Sequence, residues 1–164
     1  TTTAINLAAG LLKVTSELKF NSKILIIDIN KYVKDIEYYL SNTTVSRGLD
    51  DFFSLYQSEL LTEDSFKTCV KKINENISII GSNEYFEITD EAMDTLLKIA
   101  DKEYDFVVID SIGTSNINGI QKLLFERSEK IIVTLNQTKS VTTIIRNKNI
   151  SVFIINMNIV FNMY

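Results

Sequence analysis

Apolar residues along the chain fall alternately into helical spacings and short continuous runs. Residues 1–14 place Ala4, Leu7, Ala8, Leu11 and Leu12 at helical spacing, with Ile5 and Val14 flanking them, which predicts an amphipathic or largely buried helix opening on Thr1-Thr2-Thr3. A polar break at Asn21-Ser22-Lys23 leads into ILIIDIN (24–30), an isoleucine-rich run that reads as a buried parallel strand ending in Asp28. Residues 35–40 predict the start of a further helix. The segments 50–61 and 62–74 predict two more, with acidic residues in their first turns, where the helix dipole favours them. ISII (77–80) reads as a strand, 89–102 as a helix with Ala92, Leu96, Leu97, Ile99 and Ala100 inward, and FVVID (106–110) as a second strand ending in aspartate. A helix around 117–126 and strands at 131–135 (IIVTL) and 150–155 (ISVFII) follow, the last running into Asn156.

This alternation predicts an α/β fold, a mostly parallel sheet with helices on both faces, in one domain spanning 1–164. Only residues 136–149 separate the last two predicted strands, close to the minimum for a crossover that contains a helix. We therefore expect either a stub of a helix there or a stretch missing from the sequence.

Composition narrows the chemistry. Hydrophobic residues at 45% and charged residues at 23% are ordinary for a globular domain, which excludes wholesale disorder. No apolar run approaches the roughly 18 residues of a membrane span. A net charge of −4 gives no global reason to bind nucleic acid or anionic lipid. The single cysteine, Cys69, precludes an internal disulfide and fits a cytoplasmic setting. Histidine is absent, which removes Ser-His-Asp and Cys-His machinery and any histidine-based metal site. Carboxylates, lysines, hydroxyls, backbone amides or a bound metal are left to carry any reaction.

In an open parallel sheet, ligands bind beyond the carboxyl ends of the strands. Asp28, Asp110 and Asn156 all end predicted strands there. One strand-terminal aspartate is ordinarily a solvated turn residue, and one threonine suffices as a helix cap. Two such aspartates, beside a helix opening on three threonines, fit a phosphate with its magnesium ion better.

TTTAINLAAGLL resembles the end of the deviant Walker A motif of ParA/MinD-type P-loop ATPases, in which a glycine-rich loop and lysine immediately precede the threonines. ILIIDIN resembles the strand of that family that usually ends in Asp-x-Asp, YDFVVID its Walker B strand, and VFIIN the strand whose terminal asparagine reads adenine. The resemblance implies a MinD-like P-loop fold whose first strand and phosphate loop lie upstream of Thr1. It also implies ATP and magnesium as ligands: Thr1 and Asp110 at the metal, Thr2 and Gly113 at the phosphates, Asn156 at the base, and Asp28, Asn30 and Asp35 around the attacking water. Asp35, seven positions after Asp28, and the layout of 77–110 resemble the TadZ/CpaE branch, which positions pilus and secretion machinery. That branch implies a cytoplasmic homodimer with a protein partner at the envelope or cell pole, peripheral at the membrane. Plasmid or chromosome partition, division-site placement and a non-hydrolysing scaffold are the alternatives.

The chain departs from the family at Asn30, where the second aspartate of Asp-x-Asp usually stands. Asparagine cannot take a proton, so we expect hydrolysis to be weak, absent or dependent on Asp28 or Asp35. Lys31 and Ser111-Ile112 replace the family's usual prolines. Tyr38-Tyr39 and Tyr164 would serve a tyrosine autokinase of the same ancestry, although Tyr38-Tyr39 more simply belongs to a helix. Lys122, Arg127 and Lys130 are interrupted by Glu126 and Glu129, as on a solvated mixed face rather than a nucleic-acid strip. Phe52, Phe53 and Tyr56 have the spacing of residues that pack onto a sheet.

Overall fold

The computed structural model describes residues 2–29, 35–40, 47–81, 88–111, 119–135 and 157–161. The chain divides into two compact units, Thr1–Gly113 and Thr114–Tyr164. In chain order the first holds α1 (Thr2–Glu17), β1 (Ile24–Asp28), α2 (Asp35–Leu40), α3 (Leu49–Gln57), α4 (Glu63–Cys69), β2 (Lys71–Lys72), β3 (Ile77–Ile80), α5 (Asp90–Glu103) and β4 (Phe106–Asp110). Its sheet has the order β2-β3-β1-β4, with β1 parallel to both β3 and β4 and β2 antiparallel to β3. The second unit holds α6 (Gly119–Arg127) and a parallel pair, β5 (Ile131–Leu135) and β6 (Met157–Phe161).

Strand β1 explains the sheet's cover. Successive side chains on a strand face opposite ways, yet all five residues of β1 are buried, so both faces of the sheet are covered at its centre. On one face Ile24 and Ile26 join Ile79, Val108, Ala4 and Ala8 of α1 and Ile36 of α2 in a single cluster, with Ile5, Leu11 and Leu12 packed against it. The expected inward face of α1 is therefore only partly right. Ala4 and Ala8 are buried, but Val14 is 54% exposed and Leu7 lies at the surface. Leu25 and Ile27 point to the opposite face and are fully buried.

α3 and α4 meet through aromatic rings. Phe52 packs edge-to-face on Phe53 at 5.2 Å and on Phe66 at 6.1 Å between centroids; Phe52 and Phe53 are buried as expected, but the ring contact with Phe66 joins helix to helix rather than helix to sheet. Tyr56 is only half-buried. α5 is capped by Thr89, whose Oγ1 accepts from the Ala92 N–H at 3.2 Å. Its buried residues are Ala92, Met93, Leu96 and Ala100, whereas Leu97 and Ile99 are half-buried.

The helix predicted over 62–74 stops at Cys69. Val70 is extended, and Lys71 and Lys72 pair antiparallel with Ile79 and Ser78. The cause is turn chemistry: Asn74 Oδ1 accepts from the N–H groups of Asn76 and Ile77, while the Ile73 N–H donates to the Ile77 carbonyl, closing a hairpin that helical spacing does not anticipate. Two lysines on this short edge strand discourage further pairing.

The strand expected at 150–155 lies outside the described residues. The partner of β5 is β6, so the interval between paired strands is 136–156 rather than 136–149. Among the described residues no helix is long and apolar enough to cross a membrane.

Cys69, the last residue of α4, is fully buried. Burial is the main cause that pushes its thiol pKa up, opposed by the Thr68 hydrogen bond. A folded pKa above the unfolded one means that this group's contribution to stability is present below the unfolded pKa and is lost as pH rises through the folded value. At pH 8 we expect Cys69 to react with a thiol reagent at least about tenfold faster in urea than in buffer, because buried thiols are inert. Equal rates would show that the end of α4 opens readily.

Candidate functional site

β1 and β4 pair in register from Ile24 opposite Phe106 to Asp28 opposite Asp110. In-register neighbours on parallel strands share a face, so the two carboxylates project together at the carboxyl edge. Asp28 continues the row of Ile24 and Ile26, and Asp110 the row of Phe106 and Val108, all of which pack in the α1 cluster. Both aspartates thus face the α1 side. The ladder runs one residue further, the Ile29 N–H donating to the Asp110 carbonyl at 3.1 Å. Asp28 is 6% exposed and Asp110 half-buried.

The position of α1 follows from its length. The helix ends at Glu17, and residues 18–23 return the chain to the amino end of β1, so helix and strand run in opposite directions. Sixteen helical residues rise about 24 Å, whereas a strand of five residues spans about 17 Å. The amino end of α1 therefore lies at the carboxyl edge of the sheet, on the side of Asp28 and Asp110. Thr2 begins the helix and is exposed, and no acidic side chain occupies the first turn. The first N–H groups of a helix have no intrahelical partner, and beside two carboxylates at the same edge they suit an anion accompanied by a cation.

Hard oxygen donors fit magnesium, which takes one or two carboxylates and completes its shell with water and phosphate oxygens. Among the described residues no group of three or more His, Cys, Asp or Glu gathers into a cage of its own. Asp28 and Asp110, side by side at one edge, suit such a shared site better than an all-protein one. Thr1, Asn30, Gly113 and Asn156 lie outside the described residues. Asp35 opens α2, its side chain outside the description.

Two residues that the sequence does not single out complete this edge. Gly81 follows β3 beside Asp28; a Cβ built on it would lie 3.7 Å from the Asp28 Cβ. Gly48, just before α3, approaches Gly81 so closely that its own Cβ would overlap the Gly81 carbonyl oxygen. Neither glycine belongs to a recognisable turn dipeptide, and only the tertiary contact reveals them.

The remaining candidates carry less. Lys122 Nζ lies 3.8 Å from Glu126 Oε1 with both side chains exposed, as on the mixed face expected there. Tyr39 on α2 is 65% exposed, while the side chains of Tyr38 and Tyr164 lie outside the description.

No family model and no curated protein matches this chain. Solved structures do. A ParA family ATPase from Chlorobium tepidum TLS is similar with a TM-score of 0.65 at 23% identity, over 86% of this chain and 61% of that one. The fold is that of the ParA-type ATPases. A plasmid partition protein from Borrelia burgdorferi is similar with a TM-score of 0.58 at 17% identity, over 98% of this chain and 70% of that one. The kinase domain of the Escherichia coli tyrosine kinase ETK has a TM-score of 0.61 at 15% identity, over 94% of this chain and 60% of that one. Likeness at such identities concerns the fold, and the chain spans 61% of the length of the Chlorobium protein.

Proposed function

We propose that this chain is the nucleotide-binding core of an ATP-dependent switch of the ParA/MinD type. The observation that carries this reading is the in-register pair Asp28 and Asp110 at the carboxyl edge, on the face where α1 begins. Thr1 and Thr2 would hold phosphate and metal from the helix start, with Gly113 beside the phosphates and Asn156 at the base. Asp110 would hold the magnesium through water, its in-register neighbour Asp28 would face the same metal from β1, and Asp28 and Asp35 would orient water near the terminal phosphate. Magnesium, when bound, neutralises charge on the phosphate oxygens.

The nucleotide acts by favouring a face-to-face homodimer, which requires that the dimer bind ATP more tightly than the monomer does. Turnover is weak at most, because Asn30 is not a base. The output we infer is placement of a pilus or secretion assembly at the envelope or pole, on the spacing of Asp28 and Asp35 and the layout of 77–110. DNA partition is the second reading, favoured by the likeness to the Borrelia plasmid partition protein. Retention on DNA that appears only with ATP would select it.

Calorimetry of magnesium-ATP binding to the full-length protein, beside Asp110→Ala, tests the switch. We expect micromolar binding weakened by the substitution at least about tenfold, equivalent to about 1.4 kcal/mol. Absence of binding at millimolar ATP would leave a scaffold that keeps only the fold.

A further inference from the structure

The carboxyl edge is braced by a contact between backbones. Gly48 is buried; its N–H donates to Asp51 Oδ2 at 3.0 Å, and its carbonyl accepts from the Phe52 N–H at 3.0 Å, the first bond of α3. The next residue, Leu49, is fully buried and donates its N–H to the Gly81 carbonyl at 2.8 Å. Gly81 continues β3 at the level of Asp28, since Ile80 pairs with Ile27. The start of α3, Gly48, Gly81 and Asp28 therefore stand in one line of contact.

The two glycines are not equivalent. A methyl group on Gly81 would meet the Asp28 Cβ at 3.7 Å, an ordinary van der Waals distance. A methyl group on Gly48 overlaps the Gly81 oxygen, so the two backbones must part. If Gly81 yields, it moves against the strand that carries Asp28; if α3 yields, the Leu49 hydrogen bond to Gly81 opens. In both cases the wall beside Asp28 changes while Asp28 itself is intact. The φ of Gly48 is −161°, which any residue can adopt, so close approach and not backbone conformation demands glycine here.

We propose that Gly48, clamped through Asp51, is a positioning residue that fixes Asp28 for the metal-nucleotide site. This inference rests on the switch reading above. Groups that orient a metal ligand typically change metal affinity roughly 10- to 100-fold when lost.

The test is the magnesium dependence of ATP binding by the full-length protein, with urea stability measured in parallel. Gly48→Ala is expected to raise the magnesium concentration for half-saturation by about tenfold, with ATP affinity in excess chelator unchanged. Asp51→Asn, which keeps the shape of the clamp but weakens its charge-assisted bond, is expected to shift half-saturation in the same direction by a smaller factor, and it decides the matter if Gly48→Ala does not fold. A purely structural brace would lower urea stability and leave the magnesium midpoint of both variants at the wild-type value, and that result overturns the proposal. Wild-type protein that shows no magnesium-dependent binding at all would instead overturn the switch reading, and this inference with it.

Discussion

Phe52→Ala is expected to destabilise the protein by about 3–5 kcal/mol, the range for deleting a buried aromatic side chain. Phe52 is fully buried and contacts both Phe53 and Phe66 edge-to-face, so alanine removes apolar burial and two ring contacts together. α3 and α4 are short, at 9 and 7 residues, and cannot persist without tertiary packing. The cavity would therefore be felt along both helices. Urea denaturation followed by far-UV circular dichroism measures the loss as a lowered midpoint with an unchanged slope. Phe66→Ala should cost a similar amount. The double variant should fall short of the sum, since each single change already removes the shared contact. A loss below about 1 kcal/mol would mean that neighbouring side chains collapse into the space, and that α3 is not held by its aromatic face.

That prediction bears on the site because Gly48 is the N-cap of α3. The same helix carries the Phe52 anchor and the Gly48 contact with Gly81, one turn apart. Loosening the anchor frees the helix start beside Asp28, so stability and metal affinity should be coupled at Phe52 and separable at Asp51, which is outside the aromatic cluster.

The sequence makes the central strands legible because continuous runs of isoleucine and valine leave few alternatives to a strand buried on both faces. A terminal aspartate on each then marks the carboxyl edge. Their equal register, Asp28 opposite Asp110, is not legible, because the relative shift of two strands separated by most of the unit is decided by the packing of α1 across them. β2 is illegible for a different reason. The helical spacing of 62–74 is genuine as far as Cys69, but Asn74 offers the backbone a competing turn that periodicity does not register. Gly48 escapes notice because its role is a close approach to a residue far along the chain. The exposed face of α1 shows the opposite limit: Leu7 and Val14 have the right spacing to be core, yet the helix buries the neighbouring arc through Ala4 and Ala8.

Asn30→Asp is expected to raise ATP turnover by about 10²-fold, the lower end of what a positioned general base contributes. In the proposed reading, the resemblance of ILIIDIN to the Asp-x-Asp strand would put residue 30 where that family has a carboxylate that orients the attacking water, and asparagine has the shape of aspartate without its basicity. Substitution therefore adds a proton acceptor with little steric change. The effect should appear in phosphate release under saturating magnesium-ATP, with ATP affinity nearly constant, because a base acts on the transition state and not on ground-state binding. An increase would identify the natural protein as a switch whose bound state is long-lived for want of one carboxylate, and Asp28→Asn in the same background should then abolish the gain if Asp28 orders the water with it. Unchanged release, with magnesium-ATP still bound, would locate the limiting step elsewhere. Water activation by Asp35 would then be the reading to test, through Asp35→Asn.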